Sequence, residues 1–280
     1  MAIKNLIVLT DSRPTCANRI QIGLLMARKY DAHLTGIYIR TRALMPSQAL
    51  ELLPSTDRQA IEKNLDRKGL ELVEQTQKMF EDACTAAGRS DKSHWIVVRG
   101  EADHVAGAVA RYADLTIVGQ RDESHEFVAG VDPDHVVFDS GRPMLIVPDE
   151  YSPPSALIEH AVVGWDGGRE CARALSDAML ILETKSKVSV VSVGRRSTRE
   201  KEFGLDVVEH LQRHGIETER VALKRKKSDP GLDLLRYAEE VGAGLLVMGA
   251  YSRSRLREQI LGGATHSVLD KMTIPVFMSH

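Results

Sequence analysis

Short apolar runs alternate along this chain with segments whose apolar residues recur every third or fourth position, and the whole alternation is traversed twice. The first half opens IKNLIVLTDSRPTCANRI and the second EHAVVGWDGGRECARALSDAM. In each, an apolar run ends in an aspartate, Asp11 or Asp166, a short turn follows, and a cysteine, Cys16 or Cys171, stands five residues beyond the aspartate. Helical spacing comes next, with Ile20, Leu24, Leu25 and Ala27 on one face in the first half and Ala174, Leu175, Ala178 and Met179 in the second. The runs HLTGIYI, ending at Ile39, and KVSVVSV, ending at Val193, follow these helices. Such alternation predicts βαβ units and a parallel sheet.

The later parts of the halves also correspond. RYADLTIVG ends at Gly119 and EVGAGLLVMG at Gly249, and each half closes on a proline-containing strand, RPMLIVP with Pro143 and TIPVFMS with Pro275. The halves differ in their middles, where 41–88 reads as a loop and a long helix. Its inner face carries Ile61, Leu65, Leu72, Val73, Thr76, Met79, Phe80 and Ala83, and Gly88 is its expected stop. The second half has a shorter helix there, with Phe203, Val207, Val208 and Leu211 inward and Gly215 at its end. Its last helix has Ser228 or Asp229 as cap and Pro230 in the first turn. Pro153 and Pro154 mark a linker. The expectation is two tandem α/β domains, doubly wound and Rossmann-like, over 1–150 and 158–280, each with about five parallel strands.

Composition narrows the function classes. Lys and Arg number 37 against 39 Asp and Glu, a formal net charge of −2, so no global field favours nucleic acid or an anionic membrane surface. Cys16, Cys84 and Cys171 are sparse and lack any C-x-x-C pair, which fits reduced thiols in a cytoplasmic protein. No apolar stretch approaches the length of a membrane span, and the N-terminal run is too short for a secretory signal. The basic run from Lys224 to Lys227 has no interleaved aromatics and reads as a solvated strand end, not a nucleic-acid surface. His125 and His135 lie among carboxylates at a spacing that matches no metal-ligand motif.

Ligands of open parallel sheets bind beyond the C-terminal strand ends, where the strand order reverses. Asp166, Val193 and Gly249 fall there, and the segment VMGAYSRSRLREQILGGATHSVL runs from Gly249 into a helix starting near Gly263 or Ala264. A helix N-terminus holds an anion through unpaired N–H groups and partial positive charge. Asp166 also reads as a cap for the helix that follows it.

These residues resemble the universal stress protein family in its tandem form, over nearly the whole chain. Nucleotide-binding members carry G-x-x-G, nine residues, then G followed by Ser or Thr. Gly249 and Gly262 fit that pattern, Ser252 stands at its second glycine and Gly263 at its hydroxyl position. The resemblance implies an adenine nucleotide, ATP foremost, with Asp166 and Val193 at the adenine and ribose and Met248 and Gly249 lining base and sugar. Ser252, Arg253, Gly262, Gly263 and Ala264 would surround the phosphates, and Arg253, Arg255 and Arg257 offer guanidinium forks to them. After Gly119 the first half runs acidic, with Asp122, Glu123, Glu126, Asp132 and Asp134, which disfavours phosphate.

The implied protein is a cytoplasmic stress-response sensor or regulator and a homodimer, with nucleotide and protein partners and without nucleic acid, membrane or metal. Its closing strands are expected to pair internally. The alternative of another class is a nucleotide-independent adaptor, favoured by Ser252 and Gly263. A slow ATPase is the third reading, but the sequence offers no general base beside the phosphate loop.

Overall fold

The computed structural model describes residues 2–41, 55–121, 131–152, 159–194, 203–224, 229–251 and 263–280. The apolar runs of the first half form β1 (Asn5–Thr10), β2 (His33–Arg40), β3 (Ser93–Arg99), β4 (Leu115–Gly119) and β5 (Met144–Val147). Those of the second form β6 (His160–Gly164), β7 (Lys187–Val193), β8 (Thr218–Leu223), β9 (Leu245–Gly249) and β10 (Val276–Ser279). The helices of the first half are α1 (Cys16–Tyr30), α2 (Ser55–Ala86), α3 (Ala102–Ala110) and α4 (Pro133–Ser140). Those of the second are α5 (Arg169–Leu182), α6 (Val207–Arg213), α7 (Pro230–Glu240) and α8 (Ala264–Lys271). No helix among the described residues is long and apolar enough to cross a membrane.

One sheet takes all of these strands, in the order β3-β2-β1-β4-β5-β10-β9-β6-β7-β8. Within each half the pairing is parallel and the order reverses beside the first strand, between β1 and β4 and between β6 and β9. The halves meet through β5 and β10, which run antiparallel with Met144 opposite Met278, Leu145 opposite Phe277 and Ile146 opposite Val276. This is the internal pairing expected of the closing strands. An antiparallel seam reverses strand direction across it, so the C-terminal edges of the two halves lie on opposite sides of the sheet.

Side chains alternate across a strand, and both faces here are covered. Leu6 and Val8 of β1 face a core closed by α1, α2, α5 and α6, while Ile7 and Leu9 face a second core under α3, α4, α7 and α8. Both cores cross the seam, because Phe277 joins the first and Val276 and Met278 the second. On α2 the expected inner face holds: Val73, Thr76 and Phe80 are buried, Ile61, Leu65, Leu72, Met79 and Ala83 are half-buried, and Phe80 packs on Trp95 at 5.5 Å.

Apart from Asp166, which does not cap the helix after it, the helix ends follow the sequence with one exception. Gly88 donates its N–H to Thr85 O at 3.0 Å and Gly215 to Gln212 O at 2.9 Å, closing the helices before them. Asp229 caps α7 by accepting the Gly231 N–H at 2.7 Å, and its rival Ser228 lies outside the described residues. The exception is Phe203, expected inward on α6 but 65% exposed. Asp206 accepts the Val208 N–H and starts α6 at Val207, so Phe203 precedes the helix and does not share its face.

Phe277→Ala should cost about 3–5 kcal/mol, the range for emptying a buried aromatic site. The residue is 1% exposed on the seam strand, and the loss would be read as a lowered urea midpoint of the full chain.

Candidate functional site

Three strand ends meet at the C-terminal edge of the second half because β9, β6 and β7 are neighbours in register. Val163 pairs with Val247, and Gly164 with Val191. Beyond β6 the Trp165 N–H donates to Val191 O at 2.8 Å, and Ser192 Oγ donates to Trp165 O at 2.9 Å. Asp166 thus leaves the sheet beside Val193 at the end of β7 and Gly249 at the end of β9. Met248, expected to line base and sugar, is 6% exposed and packs in the second core.

Asp166 shapes the turn into α5 without capping it. Its Oδ1 accepts the Gly168 N–H at 2.7 Å, while Gly168, the N-cap residue, has no side chain to offer. Cys171 follows in the first turn, its Sγ 3.1 Å from Gly168 O. Burial, reinforced by Asp166, pushes this thiol up to about 12, which makes it a packing residue and not a nucleophile.

Gly249 is required by packing. A Cβ there would lie 2.4 Å from both Cys171 N and Glu170 C, so only glycine lets the first turn of α5 rest on the end of β9. The same holds at Gly231, where a Cβ would come within 2.3 Å of Ala264 O and force α7 and α8 apart. These close approaches bring the N-termini of α5, α7 and α8 to one edge.

Their caps differ. Asp229 occupies the end of α7, but Gly263 leads α8 without a side-chain cap and no acidic residue stands in its first turn. The first N–H groups of a helix have no partner within it, so α8 presents donors to whatever lies before it. Its counterpart in the first half, α4, is closed by its own acids: Asp132 Oδ1 accepts the Asp134 N–H at 3.0 Å, and Asp134 sits in the first turn. Gly263 and Ala264 thus stand where the sequence placed them; Ser252, Arg253 and Gly262, with Arg255 and Arg257, lie outside the described residues.

Two residues escaped the sequence reading. Thr265 is 3% exposed in the first turn of α8, and its Oγ1 accepts the Tyr251 N–H at 3.0 Å. Tyr251 itself adopts a left-handed backbone with φ 55° and packs on Phe138 of the other half. Thr265 was accessible in principle, since a hydroxyl two positions after Gly263 falls in the first helical turn.

The first half places a salt-linked cluster at its own C-terminal edge. Asp11, the match of Asp166, lies 2.9 Å from Arg13 Nη2 and 2.7 Å from Arg19 Nη2, and Arg13 also reaches Asp149 at 3.0 Å. Arg19 Nη1 would be 2.1 Å from a Cβ on Gly119, so the guanidinium fills the space on β4 that helix backbone fills on Gly249. The second half has Ala174 at the position matching Arg19, eight residues after the aspartate. Burial alone would raise the Asp11 pKa, but the charges of Arg19 and Arg13 outweigh it and hold the carboxyl below its usual 3.8. An arginine among the inward residues Cys16 and Ile20 was the overlooked signal. Nearby, His135 lies 3.4 Å from Asp103 and 3.5 Å from Asp132; among the described residues no group of three or more His, Cys, Asp or Glu is placed to hold a metal.

Asp11→Asn leaves Arg19, with a side chain only 4% exposed, buried without its counter-charge, and should lose about 3–5 kcal/mol at neutral pH. Because the folded Asp11 pKa is lowered, the stabilisation is complete above its unfolded value and fades as pH falls through the folded one. Denaturant melts of wild type and variant should therefore converge under strongly acidic conditions.

Comparison with known proteins agrees with this architecture. The sequence profile of the universal stress protein family matches residues 158–280. The universal stress protein Slr1230 of Synechocystis sp. is 27% identical over 169 residues, covering 58% of this chain and 56% of its own length. The chain thus spans little more than half of that relative. The universal stress protein YxiE of Bacillus subtilis is 26% identical over 149 residues, 44% of this chain and 99% of its own. The crystal structure of a universal stress protein from Archaeoglobus fulgidus shares the fold with a TM-score of 0.71 at 17% identity, over 98% of this chain and 96% of that one. Residues 158–280 match the universal stress protein family profile, and the fold seen in a universal stress protein structure runs along the whole length of this chain.

Proposed function

We propose that residues 158–280 bind an adenine nucleotide, ATP foremost, at the C-terminal edge of β6, β7 and β9, and that the protein acts as a stress-responsive sensor or regulator in the cytoplasm and not by fast turnover. The first half, 1–150, is its structural or regulatory companion. The observation that carries this reading is the contrast between two corresponding helices, α8 led by Gly263 without a side-chain cap and α4 closed by Asp132. An anion is favoured at the first end and repelled at the second.

In this reading Asp166 and Val193 meet the adenine and ribose, and the amides at Gly263 and Ala264 meet phosphate together with Ser252, Arg253 and Gly262. The Asp166 Oδ1 is already committed to the turn through Gly168, which leaves the carboxylate as a sugar-side acceptor and not a base. A second reading, a nucleotide-independent adaptor, is favoured by Gly263 at the hydroxyl position and by the commitment of Thr265 Oγ1 to the Tyr251 N–H.

Calorimetric titration of the full chain with ATP should give saturable binding that Gly262→Glu abolishes. Gly263→Asp supplies to α8 the cap that Asp132 supplies to α4. It should hold or slightly raise thermal stability, by a few tenths of a kcal/mol, while weakening ATP by at least about tenfold through charge and competition for the same amides. No binding by wild type at millimolar ATP would leave the adaptor reading.

A further inference from the structure

We propose that the first half positions the mouth of the second-half site through Tyr251, so that occupancy of that site and the seating of α4 are energetically linked. The identity of the ligand, though not the linkage, rests on the nucleotide reading above.

Tyr251 stands immediately before the segment 252–262 and is held from both halves. Its N–H is donated to Thr265 Oγ1 in the first turn of α8, at 3.0 Å. Its ring, 7% exposed, lies 4.9 Å from that of Phe138 on α4, and its side chain acts on the Asp134 carboxylate one turn earlier on the same helix, drawing its pKa down against the rise that burial imposes. Among the described residues Asp134 Oδ1 has no hydrogen-bond partner, so the influence of the tyrosine hydroxyl weighs the more on this half-buried carboxylate. Phe138 also meets His280 at 4.4 Å, and His280 Nδ1 lies 3.0 Å from Ala250 O. The left-handed backbone at Tyr251, φ 55°, is a conformation that a non-glycine residue keeps only where its surroundings impose it.

The other end of α8 is held by the first half too. Gln120 Nε2 donates to Leu269 O at 2.8 Å and to Asp270 O at 3.1 Å. A helix whose N-terminal amides face the candidate ligand is thereby gripped at one end by the residue after β4 and at the other, through Thr265 and Tyr251, by α4. Anything that draws α8 toward an anion acts on contacts made by the first half. By linkage, anything that reseats α4 alters affinity at α8 by the same factor.

The test uses the full chain with Tyr251→Phe, which keeps the ring on Phe138 and removes the hydroxyl, and with Asp134→Asn. Each should weaken ATP by about fivefold or more, and the double variant should be no weaker than either single, because both remove one contact. Hydrogen exchange supplies the cross-half readout: ATP should slow exchange in α4 of wild type and leave it unchanged in Tyr251→Phe. Unaltered affinity together with unaltered α4 protection overturns the proposal. Should wild type bind no ATP, the nucleotide reading falls by itself and the linkage is judged without ligand, by faster exchange of the α8 amides in both variants; wild-type rates there overturn it. Thermal melts report folding, and Asp134→Asn carries the same test if Tyr251→Phe does not fold.

Discussion

The antiparallel pairing of β5 with β10 is the constraint from which the rest of this structure follows. It turns two doubly wound units into one sheet, and it makes each core continuous across the join, since Val276 and Met278 point to one face and Phe277 to the other. Three residues of β10, Val276, Phe277 and Met278, thereby belong to both halves, paired with β9 on one side and β5 on the other. The pairing also sets the polarity of the molecule. Strands on either side of the seam run in opposite directions, so the helix that closes one half comes to lie beside the loop that leaves the other. The contacts of Tyr251 with α4 and of Gln120 with α8 are consequences of that arrangement.

Most of the architecture was legible because it is written in local periodicity. The strand ends at Val193, Gly119 and Gly249 and the start of α8 at Ala264 follow from where apolar runs stop and helical spacing begins. Caps were legible for the same reason, as at Asp229, where the carboxylate meets an N–H two residues away. Phe203 shows the limit of spacing alone: it keeps helical phase with Val207 but lies before the cap that starts the helix. The candidate site was legible in part. Asp166, Val193, Gly249 and Gly263 reach one edge because neighbouring strands carry them there, which the order of elements already implied.

What could not be read was set by distance in the sequence. Arg19 looks like an error on the inner face of α1 until Asp11 and the bare backbone of Gly119 are beside it. Thr265 takes its partner from Tyr251, fourteen residues back, and Tyr251 takes its own from another half. Gly249 carries a similar lesson. Its place in a family pattern suggested contact with ligand, whereas the structure supplies a sufficient reason in the first turn of α5, which no side chain would allow to settle. A glycine in such a pattern can therefore be fixed by packing even where the ligand is gone.

The arginine cluster around Asp11 breaks the symmetry that the seam would otherwise create. Two like domains joined back to back present equal edges facing opposite ways, and an object of that kind has no front. Here one edge is knitted together by charges of the chain itself, Asp11 and Asp149 with Arg13 and Arg19, while the other is led by α8, which no side chain among the described residues caps. The molecule acquires a direction. On the proposed nucleotide reading, each chain would offer a ligand one such edge and not two equivalent ones.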